Sequence, residues 1–132
     1  MNSLLKSKVI EAVSLLPKIQ FAAIFGSYAK NCNRTDSDLD IAIAAESPMS
    51  YKEIMRIKKE LTARLDKEID LVDLNTVNGL ILKEALCGCD IIVKKNTSLY
   101  ANLIRKLIYN QTDMMPYYNR ILKKRREDYF HA

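Results

Sequence analysis

Ile19-Gln20-Phe21-Ala22-Ala23-Ile24-Phe25-Gly26-Ser27 and, after ten intervening residues, Asp38-Leu39-Asp40-Ile41-Ala42-Ile43 are the two stretches on which the reading of this chain turns. The first is a short apolar run closed by Gly-Ser, the pattern of a buried strand that ends in a turn. The second alternates, so Asp38 and Asp40 project from one face of a strand and Leu39, Ile41 and Ile43 from the other. Between them lies a polar segment from Lys30 to Ser37.

Working outward, Leu4, Leu5, Ile10, Val13 and Leu16 fall at helical spacing before Pro17 ends the pattern. Downstream, Ser50 is an N-cap with Glu53 three residues on, and Ile54, Ile57, Leu61 and Leu65 give an amphipathic helix over 51–66. Glu68 to Leu74 reads as a third strand, with Asp70 and Val72 on one face and Ile69, Leu71 and Asp73 on the other. Asp73 is expected to be a strand-end or capping residue. Val77 to Leu86 reads as a short helix stopped by Gly88, Asp90 to Val93 as a short strand, and Ser98 to Asn110 as the start of a helical C-terminal third that Pro116 kinks or restarts. This alternation is that of an α/β (α+β) domain. We expect a single unit over 1–132, with a core over about 19–95 and a helical part over about 97–130.

Composition agrees with one ordinary domain: 132 residues, 48% hydrophobic and 28% charged. The excess of 21 Lys and Arg over 16 Asp and Glu favours anionic partners without naming one. The apolar runs are far shorter than the ~20 residues of a membrane span, and Glu11 interrupts what would be a signal-peptide core, so a membrane or secreted protein is not expected. Cys32, Cys87 and Cys89 lack disulfide or zinc spacing and read as reduced thiols of a cytoplasmic protein, with Cys87 and Cys89 as small core residues.

The residue types around the Gly-Ser turn suit phosphate and metal chemistry. Gly26 permits close approach of the backbone to a phosphate, Ser27 adds a hydroxyl and an amide, and a following short helix would offer free N–H groups to anionic oxygens. Asp38 and Asp40, ~7 Å apart at the backbone, present hard oxygen ligands suited to Mg²⁺. Asp70, on a strand expected beside them, would complete a site for phosphoryl or nucleotidyl transfer. A Walker-type loop is missing, and the one histidine, His131, sits at the extreme C-terminus, which leaves histidine-based catalysis almost no candidate.

With Gly26-Ser27, Asp38-x-Asp40 and Asp70 in an Ile-Asp-Leu-Val-Asp-Leu strand, residues 19–74 resemble the minimal nucleotidyltransferases of the DNA polymerase β superfamily, in particular the MNT-type antitoxins paired with HEPN-domain toxin ribonucleases. The resemblance implies a small mixed sheet flanked by helices. It implies phosphate binding at Gly26 and Ser27, Mg²⁺ at Asp38 and Asp40, and Asp70 as third ligand or aid to the attacking hydroxyl. Lys30 occupies a position commonly basic in the family and is a candidate phosphate contact, while Asn31 stands where relatives often carry Gly. The implied reaction is transfer of AMP from ATP to a tyrosine of a cognate HEPN-type toxin. Neutralisation by stoichiometric binding alone and transfer to a small-molecule hydroxyl such as an aminoglycoside's are the alternatives.

Other features have blander readings. Arg34, Asp36 and Ser37 read as solvated loop residues. Leu99, Leu103 and Leu107 make one buried helix face, whereas Tyr100, Tyr109, Tyr117, Tyr118 and Tyr129, with Met114 and Met115, read equally as packing or as a partner surface. The basic run Arg120 to Arg126 reads as a solvated helix end, and no direct nucleic-acid binding is expected.

Overall fold

The computed structural model describes residues 3–26, 28 and 38–109. The elements are α1 (Ser3–Ser14), β1 (Phe21–Phe25), β2 (Leu39–Ala44), α2 (Tyr51–Leu65), β3 (Ile69–Asp73), α3 (Gly79–Leu86) and β4 (Asp90–Lys94), followed by α4 over 97–109. The four strands form one mixed sheet in the order β3-β2-β1-β4. β1 pairs antiparallel with β2 and β4, and β2 pairs parallel with β3 across the α2 connection.

Local chemistry explains these boundaries. α2 starts where the Ser50 side chain accepts from the Glu53 amide at 3.2 Å, and it ends at Asp66, which adopts the left-handed conformation with φ 51°. β1 begins at Phe21, two residues after the apolar run starts, and the Gln20 amide, donating to Ala44, and its carbonyl, accepting from Lys95, lead into the ladder. All five residues of β1 are buried, as befits a strand with a neighbour on each side and helices on both faces.

Two apolar cores result, one on each face of the sheet. Val9 and Val13 of α1, with Leu61 and Leu65 of α2, pack in one core with Ala22, Ile24, Leu39, Ile41, Ile43 and Ile69. On the opposite face, Leu82, Ala85 and Leu86 of α3 and Leu103 and Leu107 of α4 pack with Phe21, Ala23, Phe25, Ala42 and Ala44. Each large side chain fully removed from water here contributes about 1.5–3 kcal/mol. The molecule is therefore three layers, helices on both sides of a mixed sheet.

Leu103 and Leu107 are buried as the helical spacing requires, with Leu99 packed beside them. Tyr100 is a packing residue, its ring stacked on Phe21 at 5.4 Å between centroids, whereas Tyr109 is exposed. One expectation is corrected. Cys87 is not a core residue but exposed, since it occupies the C-cap position of α3, where the chain turns outward through Gly88 at φ 75°; Cys89 packs partly against the α3 and α4 core. The remaining tyrosines, Met114, Met115, Pro116, the basic run and His131 lie outside the described residues, as do Asn31, Cys32, Arg34, Asp36 and Ser37.

Candidate active site

The candidate site residues lie on the face covered by α3 and α4. Alternation along β2 sends Leu39, Ile41 and Ile43 into the α1 and α2 core, and Asp40, Ala42 and Ala44 to the opposite side. Asp40 stands opposite Phe25 of β1 in one direction and opposite Asp70 of β3 in the other. Partners in register project from the same face, so the two carboxylates are brought side by side by strands 30 residues apart in sequence. Asp70 is exposed and Asp40 half-buried; Asp38 is exposed and lies one residue before β2 begins.

The pairing leaves an electrostatic signature. The Asp40 carboxyl is pushed up to about 6, first by burial and then by the Asp70 charge and a hydrogen bond shared with Asp70, with Asp38 and Glu84 adding like charge. Glu84, half-buried on α3, was not singled out by sequence reasoning. Its helical spacing marks only Leu82, Ala85 and Leu86 as inward, and nothing in that pattern reveals which side of the sheet α3 covers.

Gly26 closes the site from the β1 side. Its backbone is left-handed at φ 72°, and a Cβ placed there would run into the Asp40 carboxylate. Glycine is thus required twice, for conformation and for space. Ser27 and Lys30, the other candidate phosphate contacts, lie outside the described residues.

Asp73 has a separate task. It is buried on the α1 and α2 side, where Oδ2 accepts from the Met49 amide at 3.2 Å and Oδ1 from the Asn75 amide at 3.0 Å. The Asn75 side chain in turn donates to the Ala45 carbonyl at 2.8 Å, which ties the end of β3 to the segment leaving β2. This is the strand-end role that its parity suggests. Among the described residues, no three His, Cys, Asp or Glu side chains gather as a metal-binding group, although Asp40 and Asp70 stand in register and Asp38 adds its charge to Asp40. Nor is any helix among them long and apolar enough to cross a membrane.

Comparison with known proteins supplies the lineage. The family described as polymerase beta, nucleotidyltransferase, matches residues 7–98. Protein adenylyltransferase MntA of Shewanella oneidensis is 29% identical over 87 residues, 65% of this chain and 63% of MntA, so the match spans less than two thirds of that relative. A Methanocaldococcus jannaschii protein provisionally named a protein adenylyltransferase is 36% identical over 86 residues, 62% of this chain and 91% of its own length. Among solved structures, a chain of a toxin–antitoxin crystallised with AMP-PNP superposes with TM-score 0.72 at 21% identity, covering 89% of this chain and 98% of the other. A chain from the complex of tri-AMPylated Shewanella oneidensis HEPN toxin with MNT antitoxin superposes with TM-score 0.67 at 21% identity, covering 92% and 99%. These superpositions establish the shared fold, and the sequence match extends across β1, β2 and β3, the strands that carry the glycine turn and the paired carboxylates. The chain belongs to the polymerase beta nucleotidyltransferase family.

Proposed function

We propose that this protein is a Mg²⁺-dependent adenylyltransferase that acts as an antitoxin, moving AMP from ATP to a tyrosine hydroxyl of a HEPN-type toxin. The observation that carries the reading is the meeting of the Gly26 turn with the Asp40 and Asp70 pair, which puts a place for phosphates against a place for a cation. The names of the relatives, protein adenylyltransferases and chains of toxin–antitoxin complexes, one of them with AMP-PNP, support the choice of reaction, nucleotide and partner.

The donor set suits a hard divalent cation. Asp40 and Asp70 are all-oxygen ligands in register, and the upward push on Asp40 marks an excess of negative charge that a cation would relieve. Asp38, Asp40 and Asp70 would hold Mg²⁺, which when bound neutralises charge on the phosphates and polarises the reacting oxygens. Gly26, with Ser27 and Lys30, holds the triphosphate. Exposed Asp70 faces the acceptor and takes the proton from its hydroxyl as the acceptor oxygen bonds to the α-phosphorus and pyrophosphate departs.

The test is intact-mass spectrometry of the product of the neighbouring gene, incubated with this protein, ATP and Mg²⁺, next to the Asp38→Asn variant. We expect a gain of one or more AMP units with the wild type only. A stable complex with no gain in mass would replace this reading with an antitoxin that works by binding alone. If there were neither gain nor complex, the acceptor would have to be sought among small-molecule hydroxyls.

A further inference from the structure

Beyond the glycine and the carboxylates, one contact joins the two halves of the site. We infer that Lys67 and Tyr28 form a latch that positions the turn at Gly26 relative to the strand carrying Asp70, and that nucleotide binding depends on it. The inference rests on the reading of that turn as the nucleotide site.

Tyr28 follows the turn, yet its side chain belongs to the core on the other face of the sheet. It is 3% exposed and clusters with Leu39, Leu65 and Ile69 beneath α1 and α2. The chain that leaves β1 through Gly26 at φ 72° is therefore anchored two residues later by a buried ring. A buried phenol needs a partner for its hydroxyl. Lys67 supplies one: its Nζ donates to Tyr28 Oη at 3.0 Å and stands 5.4 Å from the ring centroid, so the same ammonium also meets the aromatic system.

The place of Lys67 in the chain makes this contact more than a packing detail. It follows Asp66, whose left-handed backbone ends α2, and it comes three residues before Asp70 on β3. The bond thus bridges 39 residues of sequence, from the glycine turn at the end of β1 to the approach of β3, passing the start of β2 where Leu39 bonds to Glu68. Phenylalanine would fill the same core volume. The hydroxyl adds a directional, charge-assisted tie between the segment expected to touch phosphate and the strand expected to serve the acceptor.

Calorimetry of a non-hydrolysable ATP analogue with Mg²⁺, alongside thermal denaturation, tests the latch on wild type, Tyr28→Phe, Lys67→Met, the double variant and Lys67→Arg. Tyr28→Phe and Lys67→Met are each expected to weaken analogue binding about five- to tenfold, with transfer showing a raised nucleotide KM and a smaller change in kcat. The double variant should be no worse than either single one, because the same bond is lost, and Lys67→Arg should recover most of the affinity. Single variants that bind like the wild type, or losses that add in the double variant, would overturn the latch while leaving the reading of the site intact. A wild type that fails to bind the analogue would overturn both.

Discussion

The two faces of the sheet are built from the same strands and do different work. Along β2, Leu39, Ile41 and Ile43 enter the α1 and α2 core and lose all contact with water, while Asp40, Ala42 and Ala44 form the other face. The first face is closed. The second is closed by α3 and α4 over Phe21, Ala23, Ala42 and Ala44, and opens where Asp40 lies beside exposed Asp70. Both faces thus carry an apolar core, and the like charges sit at one end of the second, where they work against the fold.

Substitutions can separate these contributions. The largest effect is expected for Asp40→Asn and Asp70→Asn, each lowering nucleotidyl transfer about a thousandfold, or about 4 kcal/mol of transition-state stabilisation, in a steady-state assay. Ile41→Ala, one residue away on the closed face, should cost about 2–5 kcal/mol of stability by denaturant unfolding and leave analogue affinity unchanged wherever the protein is folded. If Ile41→Ala weakened binding as much as it weakened the fold, the division between the faces would not hold.

Gly26→Ala and Gly88→Ala sharpen the contrast, because both glycines have positive φ but Gly26 faces the Asp40 carboxylate, whereas a Cβ at Gly88 meets nothing within 4 Å among the described residues. Both should lose about 1–2 kcal/mol from the left-handed backbone, and Gly26→Ala alone should abolish analogue binding by calorimetry. The smallest effect concerns pH. A folded-state carboxyl raised to about 6 from 3.8 gives stability that is complete below about pH 4 and is lost as pH rises through 6. In the absence of divalent cation, Asp40→Asn should therefore be more stable than wild type at pH 8 by about 1–2 kcal/mol after allowance for solvent screening, with the gain gone by pH 4. Equal stability at both pH values would remove the claim that this face carries a charge cost.

Much of this was legible in the sequence because it depends on neighbours along the chain. Ser50 and Glu53 announce the start of α2, period-two alternation assigns Asp38 and Asp40 to one face and Ile41 to the other, and the same parity separates Asp70 from Asp73. What alternation cannot supply is the identity of the strand alongside. The parallel pairing that sets Asp40 against Asp70 depends on how α2 crosses, and the approach of Glu84 depends on which side α3 packs. Tyr28 was unreadable for a related reason: a single aromatic after a turn carries no period, so neither its burial nor the Lys67 partner is encoded locally. Cys87 misled because a small apolar residue at the end of a helix looks the same in sequence whether the chain turns in or out.

The in-register pairing of β2 with β3 carries one more consequence. Slipping β3 by a single residue would turn Asp70 and Val72 toward the α1 and α2 layer and expel Ile69 and Leu71, exchanging buried carbon for buried charge. A one-residue slip therefore cannot misplace the carboxylates without also breaking the core. Folding proofreads the alignment of the two carboxylates, since any copy whose Asp70 misses Asp40 by one step has also lost part of its core and is marked for unfolding.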